Sequence, residues 1–179
     1  PWDDSPVPAE HQLRGLGPVI MTVRALPPTD ALLRDVTNMR AVRSYEDPEG
    51  AGGEVHVYDM GEGGPHAELH VAVQPGLEPA RPGAGGVHHV AFRAPDDETH
   101  RAWLDRLTDM RVQNSGWVDR FWFHSIYFRE PGGVLFEIAT DGPGFGVDEE
   151  MDALGETVVL PPFLEAHRQR IVSNLKPID

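Results

Sequence analysis

Two stretches of this chain recur at an offset of 69 residues, and that repeat constrains the fold more than any other feature. Val23-Arg24-Ala25 answers to Phe92-Arg93-Ala94, and Gly63-Gly64 followed by Glu68-Leu69 answers to Gly132-Gly133 followed by Glu137-Ile138. The matches fall at both ends of one unit, so two copies of a single supersecondary module are expected.

Both copies read in the same order. In the first, Val19 to Arg24 is a short apolar strand, and Thr29 suits the N-cap of a helix running to about Met39, with Leu32, Leu33 and Val36 on one apolar face. Strands with apolar alternation follow at Ala41 to Tyr45, Glu54 to Tyr58 and Glu68 to Val73. Turn chemistry separates them at Asp47-Pro48-Glu49-Gly50 and Gly61-Glu62-Gly63-Gly64. The second copy repeats the plan with a strand from His88 to Phe92 and a helix from Asp97 to Met110. Its remaining strands fall near Arg111 to Val118, Phe121 to Arg129 and Val134 to Ala139. The expected fold class is α+β: two βαβββ modules forming cupped mixed sheets, with a C-terminal helix. Residues 1–16 read as a Pro-rich linker from a missing N-terminal half, 17–80 as the first module and 81–145 as the second. Residues 146–179 read as an acidic loop and a helix opened by Pro161-Pro162, whose Leu164, Ile171, Val172 and Leu175 are expected to cover the module from outside.

Composition narrows the function. A formal charge of −14, from 29 acidic against 15 basic residues, disfavours nucleic acid, whose binding rests on Lys and Arg neutralising phosphates. No apolar run approaches the roughly 20 residues that a membrane span needs, and no signal-like start is present, so no membrane partner and a cytoplasmic location are expected. With zero cysteines any metal must be held by His and carboxylates, of which there are 9 and 29.

Alternation along strands selects the candidate site. His89 and Ala91 share a face of the second copy's first strand, while Tyr127 on its third strand and Glu137 on its fourth lie where hairpin neighbours meet. A histidine in a strand is commonly a structural residue. Glu137 is harder to explain that way, because it lies inside the apolar run Val134-Leu135-Phe136-Glu137-Ile138-Ala139. An ionised carboxylate there costs several kcal/mol unless paired or coordinated. Imidazole plus carboxylate with open positions is the donor set that Fe(II) or Mn(II) uses to bind substrate and O2 together.

The stretches His88-His89-Val90-Ala91-Phe92-Arg93 and Phe121-Trp122-Phe123-His124-Ser125-Ile126-Tyr127-Phe128-Arg129-Glu130-Pro131-Gly132-Gly133-Val134-Leu135-Phe136-Glu137-Ile138-Ala139-Thr140-Asp141-Gly142-Pro143-Gly144-Phe145 resemble the vicinal oxygen chelate superfamily. Within it the chain is most similar to the C-terminal half of glyoxalase-like dioxygenases that open hydroquinone rings. The resemblance implies that His89 and Glu137 are metal ligands and that Tyr127 lies near the substrate oxygens. It also implies that Arg120 and His88 are polar groups around a bound phenolate. Two readings compete: Arg120 pairing with Asp119 or a surface acid, and His88, which alternates away from His89, facing outward from a regular strand. The family's remaining histidine ligand has no match here. The first-copy counterparts of His89 and Glu137 are Ile20 and Glu68, and isoleucine cannot ligate, which marks the first copy as structural. Glu68 with His70 on the same strand face is a secondary His-and-carboxylate candidate.

The resulting expectation is a non-haem Fe(II) enzyme, with Mn(II) as the alternative metal, that cleaves hydroquinone- or catechol-type rings with O2. Its partner is the N-terminal half of the same protein or a second copy in a homodimer. The alternatives are a glyoxalase-type metal-dependent lyase or isomerase, which needs four protein ligands and loses one at Ile20, and a metal-free module that binds a small aromatic compound.

Overall fold

The computed structural model describes residues 3–48 and 53–176; Pro1 and Trp2 of the expected linker, and Glu49 and Gly50 of the expected turn, lie outside them. Among the described residues eight strands form two four-stranded sheets on one plan. In the first, β1 (Val19–Val23) runs parallel to β4 (Glu68–Val73), which pairs antiparallel with β3 (Glu54–Asp59), and β3 pairs antiparallel with β2 (Arg40–Glu46). In the second, β5 (Val90–Ala94) runs parallel to β8 (Leu135–Pro143), which pairs antiparallel with β7 (Phe123–Arg129), and β7 with the short β6 (Val118–Asp119). This is the βαβββ order of the repeat, in two mixed sheets. The chain divides between His88 and His89, with the turn Glu130–Val134 grouped with the first unit.

In the first unit, helix α1 (Leu26–Ala31) continues through a π turn at Leu32–Val36. It starts three residues before the expected cap. Ala25 is extended at φ −145° and Pro27-Pro28 occupy the opening turn, where a missing N–H costs nothing. Thr29 is therefore inside the helix and buried, and its hydroxyl donates to Glu130 Oε2 at 2.8 Å. Glu130 also accepts from the backbone N–H groups of Gly132 (2.8 Å) and Val134 (2.9 Å), so this buried carboxylate is held by three donors. Gly132 is a close approach: a Cβ there would fall 2.7 Å from Glu130 Oε1 and 2.8 Å from Val23 Cγ1. Tyr58 donates to Asp30 Oδ1 at 2.7 Å, which puts α1 over the face carrying Met21, Val23, Tyr58, Leu69 and Val71, all buried.

In the second unit, helix α2 (Asp97–Asp109) opens with Asp96 Oδ1 accepting the Thr99 N–H at 2.7 Å, and Asp97 and Glu98 in its first turn complement the helix dipole. His100 Nε2 lies 3.1 Å from the Ile138 carbonyl oxygen, which places α2 over Phe92, Ile126, Phe128, Phe136 and Ile138. Phe136 packs edge-on to both Phe92 and Phe128. The opposite face of this sheet carries Ala91, Arg93, Ser125, Tyr127, Glu137, Ala139 and Asp141.

Four further expected elements differ. The run from Arg111 to Val118 is not a strand except at its end, with one bridge from Asn114 to Phe128. Arg111 and Gly116 take positive φ (57° and 71°), and Asn114 folds its amide onto Val112 and Gly116, so the alternation breaks. Strand β5 begins at Val90, leaving His88 and His89 in the segment before it. Strand β8 runs on through Asp141-Gly142-Pro143, where Pro143 pairs with Phe123 at the strand end. The C-terminal segment is a 3-10 turn (Pro162–His167) and a short helix α3 (Arg168–Ser173); of the residues expected to cover the module, Leu164 and Ile171 are half-buried, while Val172 and, beyond the helix, Leu175 are exposed.

Candidate active site

Register on the second sheet assembles the site. Tyr127 lies directly opposite Glu137 in the antiparallel ladder, and Ala91 lies beside Glu137 in the parallel one, so all three project from one face. Glu137 is 2% exposed in an otherwise apolar strand. Its Oε2 is 2.7 Å from His89 Nε2, and its Oε1 accepts the hydroxyls of Ser125 (2.5 Å) and Tyr127 (2.8 Å). Two hydroxyl donors and the adjacent imidazole therefore offset the desolvation of the carboxylate. His89, about a third exposed, is the wall of the site that meets solvent, and its ring stands edge-on to Tyr127 at 6.1 Å.

Arg120 reaches this group through a tight turn. Asp119 Oδ1 accepts the Phe121 N–H at 2.7 Å, and Phe121 adopts φ 74°, a conformation rare for a bulky residue. The turn sends the Arg120 side chain back over Tyr127: its Nε donates to the phenol oxygen at 3.2 Å and its guanidinium carbon lies 5.0 Å from the ring centroid. The result is a relay from Arg120 to Tyr127 to Glu137 to His89 on one open sheet face. His88 is exposed in the segment preceding β5. Sequence reasoning missed Ser125; its signal was a small hydroxyl two residues before Tyr127, hence on the same face.

The first sheet has a counterpart with different occupants. Arg43 grips Glu68 through both guanidinium nitrogens (2.7 and 2.8 Å), His70 Nε2 lies 2.9 Å from Glu68 Oε2, and Tyr45 bonds His70 Nδ1 at 2.9 Å. The Arg43 contact, followed by that of His70, holds the Glu68 carboxyl down at about 2. Both carboxylate oxygens and both imidazole nitrogens are engaged, so a cation at Glu68 and His70 would have to displace Arg43. Among the described residues no group of three or more His, Cys, Asp or Glu is placed to hold a metal ion.

Residues 15–138 match the model of the Glyoxalase/Bleomycin resistance protein/Dioxygenase superfamily. The candidate ring-cleaving dioxygenase MhqA of Bacillus subtilis (strain 168) is 45% identical over 178 residues, spanning 99% of this chain and 56% of that protein. The chlorohydroquinone/hydroquinone 1,2-dioxygenase of Sphingobium indicum is 33% identical, over 98% of this chain and 53% of its own length. A crystal structure of a candidate dioxygenase from Bacillus subtilis superposes with a TM-score of 0.78 at 33% identity, covering 92% of this chain and 50% of that one. The chain thus spans about half the length of the curated relatives it matches.

Proposed function

Since the chain belongs to the Glyoxalase/Bleomycin resistance protein/Dioxygenase superfamily, we propose that it is the C-terminal half of a non-haem Fe(II)-dependent dioxygenase. Its substrates on this reading are hydroquinone- or catechol-type rings, and Mn(II) is the alternative metal. The observation that carries the proposal is the buried Glu137 carboxylate 2.7 Å from His89 Nε2, on the face of the sheet away from the helix. Relatives of nearly twice the length, one named for chlorohydroquinone and hydroquinone, support the substrate class.

The donor set fits the metal: one imidazole nitrogen and one carboxylate oxygen are two of the three facial ligands that a non-haem Fe(II) site uses. The third would come from the N-terminal half or from a second copy. When bound, the metal supplies a Lewis acid for the phenolate and electrons for O2. The protein residues do the rest. Ser125 and Tyr127 fix the Glu137 carboxylate by binding Oε1, which leaves Oε2 directed at the metal position beside His89. The Tyr127 hydroxyl gives its one proton to Glu137 Oε1 and accepts from Arg120, so it orients the carboxylate, and the Arg120 guanidinium is the group that stabilises negative charge developing on the substrate oxygen. His88 is assigned proton transfer at the exposed edge. Both atoms of O2 enter the opened ring, so no co-reductant is required.

An acidic chain without cysteine fits a cytoplasmic enzyme of this kind, and among the described residues no helix is long and apolar enough to cross a membrane. Metal analysis of an N-terminally extended form tests the proposal. About one iron or manganese per chain, lost in His89→Ala, is expected. Zinc or nickel would move the assignment to a glyoxalase-type lyase or isomerase, and no metal would favour a binding module.

A further inference from the structure

Phe123 stands four residues before Tyr127 on β7 and therefore on the face that carries Glu137. Its neighbour agrees: His124 points to the opposite face, where its Nδ1 meets Asp97 Oδ1 of α2 at 2.6 Å. Between Tyr127 and Phe123 on this face only Ser125 intervenes, and its ladder partner is Ala139. Ser125 is buried with its hydroxyl engaged by Glu137, whereas Ala139 is half-buried and Ala91, beside Glu137, is exposed. The face next to the carboxylate is thus floored by two methyl groups that reach little beyond the backbone, and Phe123 rises at its far side.

Further rings hold Phe123 in place. Its ring stands edge-on to Phe145 at 6.3 Å, Phe145 lies 6.4 Å from Trp122, and Trp122 Nε1 donates to Asp148 Oδ1 at 2.9 Å. Phe145 is 61% exposed, so it forgoes most of the burial that stabilises a core aromatic side chain. Core packing does not account for an aromatic row left open along the edge of a site, whereas a surface that meets a ligand does.

Spacing along the strands defines what this wall meets. A ring centred over Ala139 lies two residues, about 6.6 Å, from the level of Glu137 and Tyr127, and the same from that of Phe123. Aromatic rings pair at centroid separations of about 4.5–7 Å, so one ring reaches from its oxygen beside Glu137 to contact with Phe123. The edge that meets the wall is its para position.

Resting on the function proposed above, we infer that Phe123, braced by Phe145, closes the ring site para to the oxygen held beside His89 and Glu137 and limits the size of the substituent accepted there. Small substituents fit. A branched alkyl group collides with the Phe123 ring, which Phe145 keeps from turning aside.

Anaerobic calorimetric titration of the N-terminally extended, Fe(II)-loaded protein with phenol and with 4-tert-butylphenol tests this, because the two differ only in bulk at the para position. Wild type is expected to bind phenol more tightly by about tenfold or more, the discrimination that extra methyl groups meet at a packed wall. Phe123→Ala should bring that ratio to one or invert it, with bound iron unchanged. Phe145→Ala, at a largely exposed position, should shift the ratio in the same direction by a smaller factor. The inference is overturned if wild type binds the two ligands alike or binds neither. It is equally overturned if both variants keep the wild-type ratio, or if they weaken both ligands by the same factor, as a merely structural aromatic row would. Failure of the dioxygenase reading is separate: it appears as hydroquinone bound by the extended protein without oxygen consumption.

Discussion

Glu137 Oε1 accepts two hydroxyls, and burial decides what each is worth. Ser125 is fully buried, so Ser125→Ala leaves the carboxylate short of a donor that water cannot replace. We expect unfolding in urea to show a loss of about 1–3 kcal/mol; an unchanged midpoint would mean that Glu137 does not depend on this bond. His100 is a second buried polar residue, with Nε2 near the Ile138 oxygen and Nδ1 lacking a hydrogen-bond partner. Burial lowers its pKa below the usual 6.5, so below that pH the unfolded chain binds a proton that the folded chain refuses. The contribution of neutral His100 is thus fully present above about 6.5 and is lost as pH falls toward the depressed folded value. His100→Gln should flatten the pH dependence of stability in that window relative to wild type; parallel curves would contradict the assignment. At this scale Glu137 and Tyr127 were legible because an acid in an apolar strand and a tyrosine ten residues earlier must meet across a hairpin. Ser125 was missed although its position two residues before Tyr127 puts it on the same face, because only the register shows that its hydroxyl reaches Glu137 Oε1.

Among the elements, α1 shows how a correct local rule can select the wrong residue. Thr29 is a good N-cap by type, yet Pro27-Pro28 already open the helix and Ala25 is extended, so the threonine hydroxyl is available to Glu130. Thr29→Val should therefore leave helical circular dichroism intact while lowering stability by about 1–3 kcal/mol, because it removes a buried donor from Glu130. A loss of helix with little loss of stability would restore the capping role. Strands β3 and β4 were readable almost to the residue, since alternation and glycine turns frame them. β6 was not: the turn chemistry of Arg111, Asn114 and Gly116 overrides the apolar pattern around it. The extension of β8 through Gly142-Pro143 was hidden because those residues signal a turn locally, while their pairing partner, Phe123, lies twenty residues away.

At the scale of the molecule, the 69-residue repeat accounts for the two sheets, and the two copies have diverged in chemistry at equivalent positions. Glu68 is locked by Arg43 and His70, whereas Glu137 is held by hydroxyls and left facing His89. A guanidinium is a permanent cation, so the first sheet carries its own counter-charge, while the second leaves an imidazole and a carboxylate directed at one point. With relatives nearly twice as long, the proposed activity requires a third ligand from outside the described residues. Oxygen uptake with chlorinated hydroquinone and catechol, on the Fe(II)-loaded chain and on an N-terminally extended form, tests that claim most directly. The account predicts that only the extended form consumes O2 and that His89→Ala abolishes it; iron bound by both forms with no O2 consumed by either would contradict it.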